Sequence, residues 1–335
     1  MTTLVTGGNG FIGSHLVKQL LGNGHTVKAM ALQGTSLQNL EGLNCEVVYA
    51  DITKPETLNG ILNNVEVVYH LAALPSVGWG RKIFEVNYYG TENLLKEAVK
   101  SGVRRFVFMS SLVVHGFKNF NGADENEPVL KPGLLTRPYV ESKIKCEELV
   151  NSYKGRVEVV IIRPGFNIYG PNDMLASREI LSRMAAGKTM AYINGGKSKL
   201  GYVYVENLAH GLVCAGTSAN AAGNTYIIAD YEPPVAPVKE LFGQFAEKLG
   251  VQPKIYSLPG GLLFVIAAIV DAFYFVFMRG KMPLFSTYIV NTSTTNLYFT
   301  PDKARREIGF TQVVPFNEGV ARTVAWYKSL AAKNN

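Results

Sequence analysis

The chain has 335 residues, of which 47% are apolar and only 18% charged, against a usual charged share of about 25%. That length suits two domains, or one large α/β unit with an appended lobe, and the composition excludes disordered, collagenous and low-complexity classes. Lys plus Arg number 33 and Asp plus Glu 26, a net charge of +7 that suits an anionic cofactor, an anionic membrane surface or nucleic acid without choosing among them.

The opening residues run directly into a strand over 2–6, with no basic, apolar leader, which predicts a chain without an export signal. A helix over 11–22 and a strand over 25–31 follow, giving a βαβ rhythm. Val-, Ile- and Phe-rich runs at 45–50, 66–70, 104–109 and 157–162 read as buried parallel strands, with helices at 56–62, 83–100 and 139–153 between them. After Pro171 the rhythm loosens into a helix at 177–186, a strand at 201–205, a helix at 206–216 and a strand at 224–229. A Pro-rich stretch at 232–237 leads to a helix at 238–250, and 291–296 reads as polar coil.

Alternating units of this kind predict an α/β fold, a Rossmann-type doubly wound parallel sheet with a smaller C-terminal substrate-binding lobe. We assign 1–172 to the dinucleotide-binding domain, with 201–230 returning to it. Residues 173–200 and 231–335 form the substrate lobe. One block there is almost wholly apolar: 262–278, interrupted by Asp271. A core or dimer helix and a lipid-entry or membrane-surface helix suit it equally, while its length and Asp271 fit a membrane span least.

Cys45, Cys146 and Cys214 are odd in number and lack metal-ligand spacing, so neither a disulfide framework nor a metal site is expected, and a reducing cytoplasmic compartment is the simplest reading. The cations are scattered, so nucleic-acid binding is not expected either.

Between the first strand and helix stand Gly7, Gly10 and Gly13, with Phe11 and Ile12 opening the helix. A first glycine allows the tight turn, a second lets backbone approach a pyrophosphate, and a third lets helix pack on strand. Asp51 and Ile52 follow the third strand, where a carboxylate can accept from an adenine amino group. His70 ends the fourth strand as a packed residue, followed by Leu71, Ala72 and Ala73, small enough for backbone to lie against a cofactor. The second strand ends without an acidic residue for a ribose 2′-hydroxyl or an arginine for a 2′-phosphate, so NAD and NADP both stay open.

Tyr139 and Lys143 lie four residues apart on one helix face. A phenol is a poor base at neutral pH, but a nearby cation favours its phenolate. Ser110 and Ser111 follow the fifth strand, where a hydroxyl can steady charge developing on a substrate oxygen. Together these groups suit moving a hydride and a proton at a carbinol or ketone.

With Asn87-Tyr88-Tyr89-Gly90-Thr91, Arg163-Pro164 and Tyr169-Gly170-Pro171, the chain resembles the extended short-chain dehydrogenase/reductase superfamily along nearly its whole length. The resemblance implies bound NAD(P), with Gly7, Gly10, Phe11, Ile12, Gly13, Asp51, Ile52, Leu71, Ala72, Ala73, Asn87, Ser110 and Pro164 around it. It also implies Tyr139 as acid/base, Lys143 holding the nicotinamide ribose and lowering the tyrosine pKa, Ser111 on the substrate oxygen, and a homodimer through the helices at 83–100 and 139–153. His115 stands where the superfamily often has an aromatic. Nucleotide-sugar members carry an arginine for substrate phosphate where this chain has Leu200, with Lys199 beside it. The string Tyr204-Val205-Glu206-Asn207 and the tail from Tyr298 to Phe310 are more similar to the 3β-hydroxysteroid and sterol-4α-carboxylate 3-dehydrogenase branch.

The expected activity is therefore interconversion of a secondary alcohol and a ketone on a hydrophobic, sterol-like or fatty β-hydroxy/β-keto substrate, with decarboxylation where a β-keto acid forms. Peripheral contact with a membrane surface is compatible with it. A nucleotide-sugar epimerase or dehydratase, and a non-catalytic dinucleotide-sensing protein, are the alternatives.

Overall fold

The computed structural model describes residues 1–333 except 77, 135, 233–235, 279–280, 282 and 284. Seven strands form the central sheet: β1 (Thr2–Thr6), β2 (Thr26–Ala31), β3 (Glu46–Tyr49), β4 (Val67–His70), β5 (Arg105–Met109), β6 (Glu158–Pro164) and β7 (Thr225–Ile228). Their order across the sheet is 3-2-1-4-5-6-7 and every neighbouring pair is parallel. The chain reverses direction across the sheet between β1 and β4, which opens a crevice at their carboxyl ends.

Period-2 alternation builds both faces. Val5, Val67 and Val107 join Leu16, Leu20, Leu208 and Leu212 in one core, while Leu4, Val68, Phe106 and Phe108 join Leu94, Leu95, Cys146 and Val150 in the other. The first core lies under α1 (Phe11–Gly22) and the helix Val205–Thr217; the second lies under α2 (Gly90–Lys100) and α3 (Pro138–Ser152). Buried Arg105 donates from Nη1 to the carbonyls of Ala215, Gly216 and Ser218 at 3.1, 3.0 and 2.7 Å, placing a cation at the negative end of helix Val205–Thr217.

Several expectations need correction. The helix expected at 56–62 is a single 3₁₀ turn, Pro55–Leu58, because Asn59-Gly60 and the Asn63-Asn64 pair favour turns over propagation. The helical run before α2 contains a π-turn at Glu85–Tyr89. Tyr202–Tyr204 pairs with Asn167–Tyr169 in a separate two-stranded ribbon, whereas Thr225–Ile228 does enter the main sheet. The expected coil at 291–296 is largely helix, Thr287–Thr294, started by the Ser286 hydroxyl accepting from the Ile289 amide at 3.4 Å.

The apolar block forms helix Gly260–Phe277, and a core placement is overturned: only 17% of it is buried. Ala267 and Asp271 are buried on its inner face, while Leu262, Val265, Ile269, Phe273, Val276 and Phe277 are exposed. By length and composition alone it is long and apolar enough to cross a membrane.

His70 shows how the crevice is braced. The Thr6 hydroxyl accepts from the amides of Leu71 and Ala72 at 3.1 and 3.0 Å, so its own hydrogen goes to His70 Nδ1 at 2.8 Å. His70 Nε2 then donates to the Thr91 hydroxyl at 2.9 Å, which donates to the Asn87 carbonyl at 2.5 Å. Burial, and secondarily the Lys143 charge, hold His70 neutral with its pKa down to about 3. The unfolded chain binds a proton near pH 6.5 that the fold refuses, so this contribution is fully present above pH 6.5 and lost as pH falls toward 3. Urea titrations should show the wild-type chain losing about 2 kcal/mol from this group between pH 7 and pH 5. His70→Gln, whatever its starting stability, should show a correspondingly flatter pH slope.

Candidate active site

Two cavities lie along the carboxyl edge of the sheet and meet at Gly7, Ala72 and Ala73. The first, about 610 Å³, is bounded by Met30, Ala31, Asp51, Ile52 and Thr53. The second, about 710 Å³, holds Ser111, Tyr139 and Lys143 together with Gly10, Phe11, Ile12, Gly13, Leu71, Ser110 and Pro164.

Gly7 has φ +66, and Gly10 caps α1, so the backbone turns from strand into helix with the helix N-terminus facing the junction of the cavities. A Cβ on Gly13 would lie 2.1 Å from the Gly7 carbonyl oxygen, which only glycine avoids. Asn9 donates to the Thr35 hydroxyl at 3.0 Å and the Ser36 carbonyl at 2.9 Å, fixing the loop after β2 at the cavity rim. Asp51 Oδ1 accepts from the Thr53 amide and hydroxyl at 2.9 and 2.7 Å, leaving Oδ2 without a partner among the described residues. Lys28 turns away, donating to the carbonyls of Ile61 and Asn63 at 3.4 and 3.1 Å. The pair of cavities, with the glycine turn at their junction, has room for an elongated dinucleotide.

Asn87 takes a different place from the one expected: it lines neither cavity. Its Oδ1 accepts from the Leu74 amide at 2.7 Å and its Nδ2 donates to the Ser142 hydroxyl at 3.0 Å, so it ties the loop after β4 to α3. Ser110 borders the cavity but donates to Glu147 Oε1 at 2.5 Å, inside a buried network in which Arg163 donates to both Glu147 oxygens at 2.9 and 2.6 Å. His115 Nδ1 donates to the Pro128 carbonyl at 3.1 Å while Nε2 accepts from Arg163 at 3.1 Å, and its ring stacks on Phe299. The residue replacing the usual aromatic is thus a packed, neutral member of this network.

Ser111 and Tyr139 stand together in the second cavity, where the Ser111 hydroxyl accepts from the Val113 amide at 3.4 Å. Burial pushes the Tyr139 phenol up to about 12, and Ser111 opposes it. Lys143 sits one helical turn on, but it donates to the Met109 carbonyl at 2.8 Å and lies over the Phe108 ring, rather than pulling the phenol down as expected. Its own pKa is lowered by burial.

Among the described residues of the second cavity Lys143 is the only Lys or Arg. Asp173 caps the helix Ala176–Ala185, accepting from the amides of Leu175, Ala176 and Ser177, and the remaining wall includes Met109, Val113, Phe166, Met174, Leu175 and Tyr288. Leu200 is buried and Lys199 lies outside the cavity, so neither puts a cation into it. Tyr288 escaped the sequence reading because it falls ahead of the 291–296 coil in a stretch with no motif to mark it. Arg137 and its partner Asp271 were also missed, although a lone carboxylate in an apolar helix is itself a signal for a buried partner.

Residues 4–259 match the 3-beta hydroxysteroid dehydrogenase/isomerase family. The chain belongs to this family. It is 30% identical, over 99% of its length and 80% of the relative's, to the 3beta-hydroxysteroid-dehydrogenase/decarboxylase isoform 1 of Arabidopsis thaliana. It is 29% identical, over 98% of both chains, to sterol demethylase protein B of Methylococcus capsulatus. The solved UDP-glucose 4-epimerase of Thermus thermophilus in complex with NAD superposes over 98% of this chain and 99% of that one with a TM-score of 0.76 at 24% identity, a likeness of fold. This family member is an extended short-chain dehydrogenase/reductase, acting on a CH–OH group with NAD or NADP.

Gly13→Ala should abolish NADH binding, followed by nucleotide fluorescence, while far-ultraviolet circular dichroism keeps its α/β signature. Retained nucleotide affinity would contradict the glycine turn as the pyrophosphate site.

Proposed function

We propose that this dehydrogenase oxidises the secondary alcohol of a sterol-like substrate, and that where the neighbouring carbon bears a carboxylate the resulting β-keto acid loses CO2. The observation that carries the reading is the catalytic cavity itself. Its wall is apolar apart from Asn39, Ser110, Ser111, Tyr139, Lys143, Tyr288 and the polar loop at Asn172 and Asp173, which suits an apolar ring system and leaves a nucleoside diphosphate no cation but Lys143 among the described residues.

NAD bound across the two cavities supplies the hydride acceptor. Ser111 holds the carbinol oxygen and Tyr139 takes its proton, and Lys143 would hold the nicotinamide ribose. In a β-keto acid product the electrons of the carbon–carboxyl bond move into the ketone as CO2 leaves, and the enolate is then protonated. Asp51 receives the adenine. With Lys28 turned away and no arginine after β2, NAD is the preferred nucleotide.

The exposed helix Gly260–Phe277 supports a lipid surface as the source of such a substrate. Its apolar outer side continues into exposed Ile255, Tyr256 and Leu258, Lys254 and Lys281 bracket it, and the chain's net charge of +7 favours anionic headgroups.

Absorbance assays of NADH formation against 3β-hydroxysterols, their 4α-carboxylates and nucleotide sugars should give turnover on the sterols. Turnover confined to nucleotide sugars would overturn the reading. Tyr139→Phe should lower kcat about 10²- to 10⁴-fold. Because the phenol is held near 12, it is protonated at neutral pH, so wild-type oxidation should speed up as pH rises from 7 to 10. In sedimentation with phosphatidylcholine vesicles containing phosphatidylserine, the protein should pellet, and Ile269→Glu with Phe273→Glu should remain in the supernatant while still oxidising a detergent-solubilised sterol.

A further inference from the structure

Tyr288 stands on the cavity wall with Tyr139 and packs around Val113, Val140 and Ile144 with it. Its ring meets Phe117 edge-on at 5.1 Å. Its hydroxyl has no hydrogen-bond partner among the described residues, and the ring lines the cavity. Burial raises its pKa, with Tyr139 acting in the same direction and the Arg137 charge in the opposite one, so at any working pH Tyr288 is a neutral donor beside a cation.

Behind it lies another cavity of about 460 Å³, which shares Tyr288 and includes Lys131, Arg137 and Asn291. Tyr288 therefore lines both the reacting centre and a neighbouring pocket that carries Lys131 and the Asp271-paired Arg137. Its placement is fixed from below. Asp271 Oδ2 accepts from the Thr287 amide at 2.9 Å, the Thr287 hydroxyl at 2.5 Å and Arg137 Nη2 at 2.5 Å, and Arg137 is the residue that caps α3 two positions before Tyr139. One carboxylate thus holds the backbone immediately before Tyr288 and the side chain of the residue two positions before Tyr139.

We propose that Tyr288 donates its phenolic hydrogen to a carboxylate on the carbon next to the reacting carbinol, making it a specificity-determining residue for acidic substrates, with Asp271 and Arg137 as its positioning residues. This rests on the sterol-oxidation reading and deepens it. A neutral phenolic donor, with Lys131 in the pocket behind it, holds an anion without burying a free cation against the apolar substrate. Removing it leaves the hydride and proton chemistry at Ser111 and Tyr139 intact.

The experiment compares full-length wild type with Tyr288→Phe on a 3β-hydroxysterol 4α-carboxylate and on the same sterol without the carboxylate. The expected result is a loss of tenfold or more in kcat/KM for the acid, expressed mainly in KM, a change within twofold for the neutral sterol, and unchanged NADH affinity. Equal losses on both substrates, or none on the acid, would overturn it. Asp271→Asn should reproduce the selective loss, and adding Tyr288→Phe to it should cost little more, because the two changes remove one interaction; fully additive losses would separate Asp271 from the role assigned here. A wild-type enzyme that prefers the neutral sterol overturns the inference alone. One that oxidises neither sterol overturns the sterol reading and the inference with it.

Discussion

Asp271 is the one charged residue within an eighteen-residue apolar helix, and the attachment of that helix to the catalytic half depends on it. Its carboxylate is buried against Arg137, whose guanidinium also lies over the Trp79 ring at 5.2 Å, and Trp79 meets Phe275 of the same helix edge-on. Burying a charge pair gains little net stability over apolar packing, but losing one partner strands the other at a cost of about 3–5 kcal/mol. The pair is therefore better understood as a register pin than as a source of stability. A uniformly apolar helix could rotate or slide on the surface below it with little change in energy. A single carboxylate with three donors permits one setting, and in that setting Leu262, Ile269, Phe273 and Phe277 face outward.

The cleft is held open by polar chains buried behind it. Thr6, His70, Thr91 and Asn87 run in sequence from β1 through β4 into the helical run before α2, and Asn87 continues through Ser142 into α3. Ser110, Glu147, Arg163 and His115 form a second chain on the other side of β5. Adjacent serines thereby acquire opposite duties: Ser110 turns inward to a carboxylate, and Ser111 turns outward to Tyr139. Fully satisfied networks of this kind resist rearrangement more than apolar packing of equal volume, because each broken bond leaves a buried group unpaired.

The sheet and the cofactor end were legible in the sequence because their signals are local. Short β-branched runs, a glycine turn between strand and helix, and a Tyr and a Lys one helical turn apart are set by neighbouring residues. What escaped depends on distance. Asn87 looks like a ligand-facing residue until Leu74 and Ser142 claim its side chain, and the helix Thr287–Thr294 carries Asn, Ser and Thr that local propensity assigns to coil. Asp271 and Arg137 are 134 residues apart in sequence, so only the folded chain shows that one exists for the other. Lys143 illustrates a subtler limit, since helical spacing puts it on the same face as Tyr139 without deciding which oxygen its ammonium chooses.

The same logic of distance bears on substrate choice. The chain shares its fold with nucleotide-sugar enzymes, and its Leu200 is part of the packing rather than of a cavity. Leu200 is buried in a small sheet beside Leu297, so restoring an arginine there would require opening that packing as well as adding the charge. The Asn207 amide, in the string that replaces the sugar-type motif, is spent on Asp230 and the Val314 carbonyl and accepts from the Val314 amide, which locks the chain after residue 310 onto the sheet. The departures from the sugar-binding pattern are thus tied into structure at both ends. Both positions are fixed by the packing around them rather than by a cavity they line.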